Sequence, residues 1–281
     1  MHNGIWDRTN TKAVGHEIKG KQLGIIGYGH IGSQLSVIAE SMGMVVRFFD
    51  VNQRFPLGTA LPCESLEELL STSDFVSLHV PETPETKNMI TAKEIGAMKK
   101  GAFLINASRG TVVDIPALGA ALKSGKLAGA AVDVFPVEPF SNGKNFDSPL
   151  RNSPNTILSP HIGGSTEEAQ SAIGVEVATA LAKFLKTGMT LGSVNFPEVD
   201  LKPLSGKVVR VVNVHHNVPG VLKQVNKLLS DCNIEKQICD SKGSVAYLSA
   251  DLEVNADTNI DVIVKGISAM PENIMTRLIR F

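Results

Sequence analysis

Three glycines in the spacing G-x-G-x-x-G sharply limit the folds that are open to this chain. Gly27, Gly29 and Gly32 follow a short apolar run and precede a stretch whose apolar residues recur every three or four positions, as on one side of a helix. A second apolar run comes next and ends at Asp50. This order of strand, glycine turn, helix, strand and acid predicts the first βαβ unit of a parallel sheet.

Each glycine has its own physical role in such a unit. Gly27 permits the tight turn, Gly29 lets a pyrophosphate approach the backbone, and Gly32 lets the helix pack close to the strand. The N–H groups that begin the helix lack intrahelical partners and can bind phosphate. The motif therefore predicts a dinucleotide site, with a glycine-rich turn that only packs as the alternative.

Asp50 indicates which dinucleotide the site prefers. It lies eighteen residues after Gly32, close to the spacing of about 20 residues expected for the acid that binds the adenosine ribose. A carboxylate accepts hydrogen bonds from both ribose hydroxyls and repels a 2′-phosphate, so the sequence predicts NAD rather than NADP. Arg54 is close enough in sequence to weaken this preference without reversing it.

Composition argues against several classes of function. The chain of 281 residues has a net charge of −1 and no long run of one charge sign, so we expect neither a nucleic-acid nor a membrane partner. Cys63, Cys232 and Cys239 lack metal-ligand spacing and are interpreted as reduced thiols, so no metal site is predicted. Because it has no signal-like or long uncharged apolar segment, the chain is expected to be cytoplasmic.

Apolar periodicity divides the chain into two folds. Short apolar strands alternate with helices as far as residue 165, which predicts an α/β fold with a doubly wound parallel, Rossmann-like sheet. The tail changes to the order βαββαβ of a small ferredoxin-like domain. The predicted segments are a connecting arm at 1–20 that contains Trp6, the NAD-binding domain at 21–165, a long helix of the substrate domain at 166–192, a linker at 193–205 and the small domain at 206–281. Strands are predicted at 75–78, 103–106, 130–133 and 156–158 and, in the tail, at 208–214, 234–239, 245–252 and 274–279.

Polar side chains follow several predicted strands, where ligands bind in doubly wound sheets. Arg109 can hold a substrate carboxylate with two parallel hydrogen bonds, and His161 suits general acid–base work. Glu138, between two prolines, can hold the tautomer and orientation of a histidine. Taken singly, these residues have other interpretations, namely a strand-end ion pair, a satisfied loop histidine and a solvated charge. The histidines that compete with His161 are His79, His215 and His216.

Four segments resemble the D-isomer-specific 2-hydroxyacid dehydrogenase family. They are the glycine motif at 27–32 and the stretches 106–114, 133–139 and 160–166. The pair His30-Ile31 and the run 194–198 are similar to those members of the family that act on 3-phosphoglycerate. The resemblance implies an NAD-dependent oxidoreductase that converts 3-phosphoglycerate into 3-phosphohydroxypyruvate, the first step of L-serine biosynthesis.

The same resemblance implies roles for individual residues. Arg109, Glu138 and His161 match the catalytic residues of the family, and Asp133 is expected near the nicotinamide amide of NAD. The predicted cofactor-binding residues are Gly27, Gly29, His30, Ile31, Gly32, Asp50, Val80, Pro81, Ala107, Ser108, Arg109, Asp133, His161, Ile162, Gly163 and Gly164.

The tail extends the resemblance. Residues 213–222 resemble the opening of an ACT domain, a small amino-acid sensor in which a polar turn before a helix binds serine between subunits. This implies that His215, Asn217 and Asn233 contact L-serine as an effector and that the protein is a homo-oligomer. Amide and imidazole groups at a helix N-terminus can hold the charged groups of an amino acid, but they can also simply cap the turn.

The position of the glycine motif separates this chain from the family pattern. Family members place much of a substrate-binding domain before the motif, whereas here the motif begins at residue 27, so we expect the N-terminal part of that domain to be lacking. Two functions therefore stay open. One is the oxidation of 3-phosphoglycerate with serine feedback. The other is a catalytically weak NAD- and serine-binding fragment that associates with a full-length dehydrogenase.

Overall fold

The computed structural model describes residues 15–143, 146–255 and 258–280. Most of the predicted arm, including Trp6, lies outside the described residues. The chain forms two compact units, the first ending at Thr166 and the second beginning at Glu167. Each unit has its own sheet and its own apolar core.

The first unit is a parallel sheet of seven strands with helices between them. Its strands are β1 (Gln22–Ile26), β2 (Val45–Phe49), β3 (Leu61–Pro62), β4 (Phe75–Leu78), β5 (Ala102–Asn106), β6 (Leu127–Val132) and β7 (Thr156–Leu158). Its helices are α1 (His30–Ser41), α2 (Leu66–Thr72), α3 (Ala92–Ala97) and α4 (Ile115–Lys123), and a 3-10 turn spans Gly110–Val112. The spatial order β3-β2-β1-β4-β5-β6-β7 is that of a doubly wound sheet, which confirms the predicted fold class.

The central strands are apolar because both faces of a doubly wound sheet are covered by helices. Ile25 in β1, Val76 in β4 and Leu104 in β5 are completely buried. Burial on both faces fixes the strands firmly, so the loops that leave their ends start from defined positions.

The register of the sheet brings the carboxyl ends of six strands into one row. Leu78, the last residue of β4, pairs with Ile26 on one side and with Asn106 on the other. The complete row, in spatial order, is Phe49, Ile26, Leu78, Asn106, Val132 and Leu158. The loops after these residues therefore open at the same edge of the sheet, where ligands bind in this class of fold.

Two details of the sheet differ from the sequence prediction. β6 begins at Leu127, three residues before the predicted start at 130, and ends at Val132, so Asp133 stands in the loop rather than in the strand. The edge strand β3 is absent from the sequence prediction because its two exposed residues carry no apolar pattern.

The second unit consists of a long helix followed by a small antiparallel sheet. Its elements are α5 (Glu167–Thr187), β8 (Val208–His216), α6 (Val221–Leu228), β9 (Ile234–Lys242), β10 (Val245–Glu253), α7 (Ile260–Ser268) and β11 (Asn273–Ile279). The order β11-β8-β10-β9, with every neighbouring pair antiparallel, is the ferredoxin-like layout that the sequence predicts. β8 runs two residues beyond its predicted end, which places His215 in a strand instead of a turn.

Different parts of the chain pack against the two faces of the small sheet. Val211 and Leu248 point towards α6 and α7, whereas their neighbours Val212 and Tyr247 pack against the chain that precedes β8. This alternation follows the two-residue period of a strand. The segment 193–205, predicted to be a linker, contains no helix or strand. Its side chains Val199, Leu201 and Leu204 are nevertheless buried in the same apolar cluster as Val212 and Tyr247. The division of the chain into five segments stays a prediction.

Side chains of the small sheet also bind the C-terminal end of α5. Three neighbouring strands each provide one donor to a carbonyl oxygen near this end. The pairs are Arg277 of β11 with Phe184, Arg210 of β8 with Thr187 and Tyr247 of β10 with Gly188, each at 2.6 Å. The last carbonyls of a helix generally lack intrahelical partners, and these donors bind to them. Phe184 also accepts a hydrogen bond from the N–H of Gly188 at 2.8 Å, so Arg277 is a second donor to that carbonyl.

Arg210 forms the most buried ion pair of the described residues. Its Nε and Nη2 atoms donate to the two carboxylate oxygens of Asp251 at 2.5 and 2.7 Å. The two side chains are only 2% and 11% exposed. Arg210 Nη1 additionally donates to the carbonyl oxygens of Thr187 and Lys202, so every arm of the guanidinium has a protein acceptor.

Replacing Arg210 by methionine should destabilise the second unit strongly, because Asp251 is then left charged and buried. Removal of one partner of a buried pair costs about 3–5 kcal/mol, whereas an apolar replacement of both partners can be nearly neutral. We expect the double variant Arg210→Met/Asp251→Leu to recover much of the loss. Urea denaturation of the three proteins measures this.

Arg47→Met is the matched control. Arg47 pairs with Glu68 at 2.8 Å, but the two side chains are 30% and 36% exposed, so the loss should be about 1 kcal/mol or less. Equal destabilisation by Arg210→Met and Arg47→Met would contradict the assigned importance of the buried pair.

Candidate active site

The glycine turn between β1 and α1 has the geometry that a dinucleotide requires. Gly27 has a φ of +90°, and a Cβ atom there would collide with the carbonyl group of His79. A Cβ atom at Gly32 would collide with the carbonyl oxygen of Gly27, so only glycine lets the helix lie this close to the turn. A Cβ atom at Gly29 would meet nothing within 4 Å, which leaves the space beside this residue open to a ligand.

The N-terminus of α1 faces this open space. Within the described part of the chain, no side chain caps the helix at Gly29, so its first N–H groups remain available to an anion. His30 and Ile31, the first two residues of the helix, are exposed. These features fit the pyrophosphate of a dinucleotide.

Asp50 is held in a fixed orientation directly after β2. Its Oδ2 accepts a hydrogen bond from the N–H of Tyr28 and its Oδ1 one from the N–H of Asn52, both at 2.8 Å. Two of about four acceptor positions of the carboxylate are thereby used, and the others can accept ribose hydroxyls. Arg54 Nε lies 3.6 Å from Oδ2, so the guanidinium is close enough to offset part of the carboxylate charge.

His161 and Glu138 form the pair that the sequence predicts. Nδ1 of His161 lies 2.8 Å from Oε2 of Glu138, and Oε1 of Glu138 accepts a hydrogen bond from the N–H of Phe135 at 2.9 Å. Burial alone would raise the pKa of Glu138, but the hydrogen bonds from His161 and Phe135 outweigh it and lower that pKa. The carboxylate therefore stays charged at neutral pH and holds the imidazole with Nδ1 protonated.

Arg109 leaves the end of β5 on a loop that Asn106 organises. Oδ1 of Asn106 accepts from the N–H and the hydroxyl of Ser108 at 3.0 and 2.8 Å, and its Nδ2 donates to the carbonyl of Arg109 at 3.0 Å. The guanidinium of Arg109 is exposed and donates to the carbonyl of Ser108 at 2.7 Å. Asn106, to which the sequence analysis assigns no role, orders the loop that carries Arg109. A polar residue that ends a buried strand is the signal for such a role.

Gly110 lets the Arg109 loop approach the Glu138 loop. A Cβ atom at Gly110 would collide with the backbone of Phe135, so the two loops touch where a larger residue would separate them. The result is a cleft of about 280 Å³. Its lining includes Arg109, Glu138 and His161, the three predicted catalytic residues, together with Glu82 and Thr111, which the sequence analysis did not single out.

Asp133 binds the loop that carries His161. Its carboxylate accepts hydrogen bonds from the hydroxyl of Ser159 at 2.6 Å, the N–H of Ile162 at 3.0 Å and the N–H of Gly163 at 2.9 Å. Burial would raise the pKa of Asp133, but these three donors outweigh it and lower that pKa. Asp133 is thus a buried, charged residue beside the cleft.

The remaining predicted cofactor residues lie in the loops of the same edge. Val80 and Pro81 follow the end of β4 by two and three residues, Ala107 and Ser108 follow β5 directly, and Gly164 closes the loop after β7. Their contacts with NAD stay predictions.

The competing histidines have other surroundings. His79 lies at a strand end but bonds to the hydroxyl of Ser77 at 2.9 Å, and burial lowers its pKa. His215 and His216 belong to β8 in the second unit. Of these histidines, only His161 lines the cleft with Arg109 and Glu138.

The three predicted serine contacts are not brought together within one chain. His215 is buried in β8, and its Nδ1 lies 2.8 Å from Oδ1 of Asn213. Asn217 follows the end of β8 that pairs with Val245, whereas Asn233 bonds to Glu253 at the other end of β10. A strand of nine residues separates the two asparagines by roughly 25 Å.

Two further findings concern the described ranges 15–143, 146–255 and 258–280. They contain no group of three or more His, Cys, Asp or Glu side chains that could hold a metal ion. No helix in them is both long and apolar enough to cross a membrane.

Comparison with known proteins defines the class. Residues 1–163 match the family profile described as "D-isomer specific 2-hydroxyacid dehydrogenase, NAD binding domain". The chain belongs to the D-isomer specific 2-hydroxyacid dehydrogenase family and contains its NAD-binding domain, which confirms NAD as the cofactor. The predicted bounds 21–165 of this domain stay a prediction.

Three sequence relatives that match almost the whole chain are D-3-phosphoglycerate dehydrogenases by name. The chain is 51% identical to the D-3-phosphoglycerate dehydrogenase of Dictyostelium discoideum over 279 residues and 50% identical to that of Escherichia coli K12 over 280 residues. It is 53% identical over 290 residues to D-3-phosphoglycerate dehydrogenase 1 of Saccharomyces cerevisiae. Each comparison covers 99% of this chain, which spans 67%, 67% and 61% of the respective relatives.

Solved structures of the family show the same fold. A D-lactate dehydrogenase from Aquifex aeolicus, complexed with NAD and lactic acid, matches with a TM-score of 0.56 and 34% identity over 64% of this chain and 57% of its own. The NAD-complexed D-isomer specific 2-hydroxyacid dehydrogenase of Lactobacillus delbrueckii ssp. bulgaricus matches with a TM-score of 0.57 and 33% identity, over 65% and 58%.

Asp50→Ala should weaken NAD binding about tenfold or more and narrow the difference in affinity between NAD and NADP. The variant loses the acceptor for the ribose hydroxyls and also the charge that repels a 2′-phosphate. Isothermal titration with both cofactors measures the two affinities. Asp147→Ala, which removes an acid that is 95% exposed, is the control. An unchanged ratio of the two affinities in Asp50→Ala would contradict the assigned role.

Proposed function

We propose that this protein oxidises 3-phosphoglycerate to 3-phosphohydroxypyruvate with NAD, the first step of L-serine biosynthesis. The observation that carries the proposal is the His161–Glu138 pair at 2.8 Å in a cleft that Arg109 also lines. A histidine held by a carboxylate beside an arginine, on an NAD-binding sheet, suits the oxidation of a 2-hydroxy acid. The names of relatives at 50–51% identity support this particular substrate.

In this proposal His161 is the general base and Glu138 its orienting partner. Because Nδ1–H donates to Glu138, the neutral imidazole carries its lone pair on Nε2, where it takes the proton of the C2 hydroxyl. Arg109 binds the substrate carboxylate with two parallel hydrogen bonds, exchanging its bond to Ser108 for bonds to the ligand. When NAD is bound, it supplies the acceptor for the hydride that leaves C2. In the reverse direction His161 returns the proton to the carbonyl oxygen.

The residues that hold the cofactor in this proposal surround the row of strand ends. The N–H groups that begin α1 bind the pyrophosphate, and Asp50 accepts hydrogen bonds from the ribose hydroxyls. Asp133 would lie near the nicotinamide amide of a bound NAD. The other members of this set are His30, Ile31, Val80, Pro81, Ala107, Ser108, Arg109 and residues 161–164.

The proposal includes regulation by L-serine in a cytoplasmic homo-oligomer. Asn217 and Asn233 lie at opposite ends of one small sheet, which supports a serine site built from two copies of the chain rather than from one. The bond between Asn213 and Nδ1 of His215 fixes that imidazole and leaves Nε2 for a ligand.

The test is NADH consumption by the purified chain with 3-phosphohydroxypyruvate, with and without L-serine. We expect turnover that serine suppresses, and a loss of about 10²–10⁴-fold in kcat for His161→Ala because the proton transfer loses its side chain. His16→Ala, which removes an exposed histidine outside the cleft, should leave kcat unchanged. Full turnover by His161→Ala would overturn the mechanism, and insensitivity to serine would overturn the regulatory part.

A second candidate function rests on the surface of α5. This helix of 21 residues buries only Thr187, and its exposed side chains include Ile173, Val177 and Leu181, which recur every four residues on one face. An exposed apolar stripe of this length is typical of a surface that another chain covers. The alternative is therefore a catalytically weak NAD- and serine-binding chain that associates with a full-length dehydrogenase.

Sedimentation velocity of the chain mixed with the Escherichia coli relative tests this alternative. The alternative predicts a mixed complex of the two proteins. The double variant Ile173→Glu/Leu181→Glu should abolish this complex, because association would bury two charges on the apolar stripe. Lys183→Ala on the same helix is the control and should leave the complex intact. The alternative also requires saturable NAD binding with little turnover. Absence of any mixed complex, or turnover at the rate of the relative, would contradict it.

A further inference from the structure

Three consecutive backbone N–H groups around His161 donate to a single residue. The N–H of His161 donates to the backbone carbonyl of Asp133 at 2.7 Å. The N–H groups of Ile162 and Gly163 donate to Oδ1 and Oδ2 of the same residue at 3.0 and 2.9 Å. Successive N–H groups that converge in this way form a concave anion site, and here the anion is a side chain of the protein itself.

The backbone at His161 needs this support. Its φ is +54°, in the left-handed region that L-residues other than glycine rarely adopt. Among the described residues, the other non-glycine positions with positive φ are all asparagines, namely Asn88, Asn152 and Asn155, and asparagine tolerates this region. The strain therefore falls on the residue assigned as the base, and strained backbone at a functional site persists only when its surroundings hold it.

Ser159 determines how Asp133 can provide that support. Its hydroxyl donates to Oδ1 of Asp133 at 2.6 Å, on the same oxygen that accepts from Ile162. Ser159 is itself fixed, because its N–H donates to the carbonyl of Val132 at 3.1 Å. Asp133 is 8% exposed, so water offers little replacement for a lost donor. Removal of the hydroxyl would leave the carboxylate free to rotate away from the two N–H groups.

We propose that Ser159 is a positioning residue for His161, acting through Asp133. Its hydroxyl orients the carboxylate, and the carboxylate holds the N–H groups of Ile162 and Gly163. The loop fixed in this way presents the imidazole of His161 to the cleft. Ser159 needs no contact with the substrate in this role. The inference rests on the proposed function, in which His161 transfers the proton.

The competing explanation is that the Ser159 hydroxyl only stabilises the fold. Ser73 offers a matched comparison, because its buried hydroxyl also makes a hydrogen bond of 2.6 Å, to the carbonyl of Leu69, at the opposite ends of the strands. A structural hydroxyl and a positioning hydroxyl cost similar stability when removed. They differ in what happens to the His161 loop and to the chemical step.

The experiment compares Ser159→Ala, Ser159→Thr and Ser73→Ala with the unaltered full chain. Amide hydrogen exchange at Ile162 and Gly163 should become at least tenfold faster in Ser159→Ala, while Ser73→Ala leaves it unchanged. Because misplacement of a catalytic group by about 1 Å can cost about a hundredfold in rate, kcat for 3-phosphohydroxypyruvate should fall about tenfold in Ser159→Ala with KM within about twofold. Ser159→Thr retains the hydroxyl and should restore both exchange and kcat.

Each outcome separates this inference from the proposed function. If the unaltered chain has no turnover, the proposed function fails for this chain, and hydrogen exchange alone decides whether Ser159 holds the loop. Unchanged exchange at Ile162 and Gly163 in Ser159→Ala overturns the inference. Faster exchange with an unchanged kcat in an active enzyme also overturns it, because the hydroxyl then holds the loop without serving the reaction.

Discussion

The shared register of the parallel strands is the constraint on which the candidate site depends. Because β1, β2, β4, β5, β6 and β7 end in one row, residues that are far apart in sequence meet at one edge of the sheet. A side chain placed one residue later on any of these strands would point to the other face. The apolar burial of both faces therefore does more than stabilise the unit, since it also fixes the origin of each functional loop.

The strands set the approximate positions of the loops, and hydrogen bonds from backbone N–H groups to carboxylates then fix the conformations of these loops. Asp50 accepts from the N–H of Tyr28 in the glycine turn and from that of Asn52 after β2. Glu138 accepts from the N–H of Phe135, and Asp133 accepts from two N–H groups of the loop after β7. Each carboxylate uses part of its acceptor capacity on the protein and keeps part for a partner, whether an imidazole or a ligand. In the proposed function, the acidic residues at this edge therefore have a structural and a functional role, and both roles use the same carboxylate oxygens.

Much of this arrangement follows from the sequence because its signals are local. The glycine spacing, the apolar runs and the polar residues after them predict the doubly wound sheet and identify Arg109, Glu138 and His161. The contributions of Asn106, Ser159 and Gly110 escape such a reading. Asn106 forms hydrogen bonds within its own turn, and Ser159 forms one to Asp133 at the end of another strand. Gly110 matters only because the backbone of Phe135 packs against it. The periodicity of apolar residues in a sequence does not predict a contact between two loops.

The binding of the α5 end by three strands has a mechanical consequence. Arg277, Arg210 and Tyr247 donate to the carbonyl oxygens of Phe184, Thr187 and Gly188 at the C-terminal end of α5. The buried Val199, Leu201 and Leu204 share a core cluster with Val212 and Tyr247 of the small sheet. The chain between residues 188 and 207 is long enough to be a flexible linker, yet it connects α5 and the small sheet, which direct hydrogen bonds already join. These three hydrogen bonds couple the end of α5 to the small sheet, so we expect the helix to follow a displacement of the sheet.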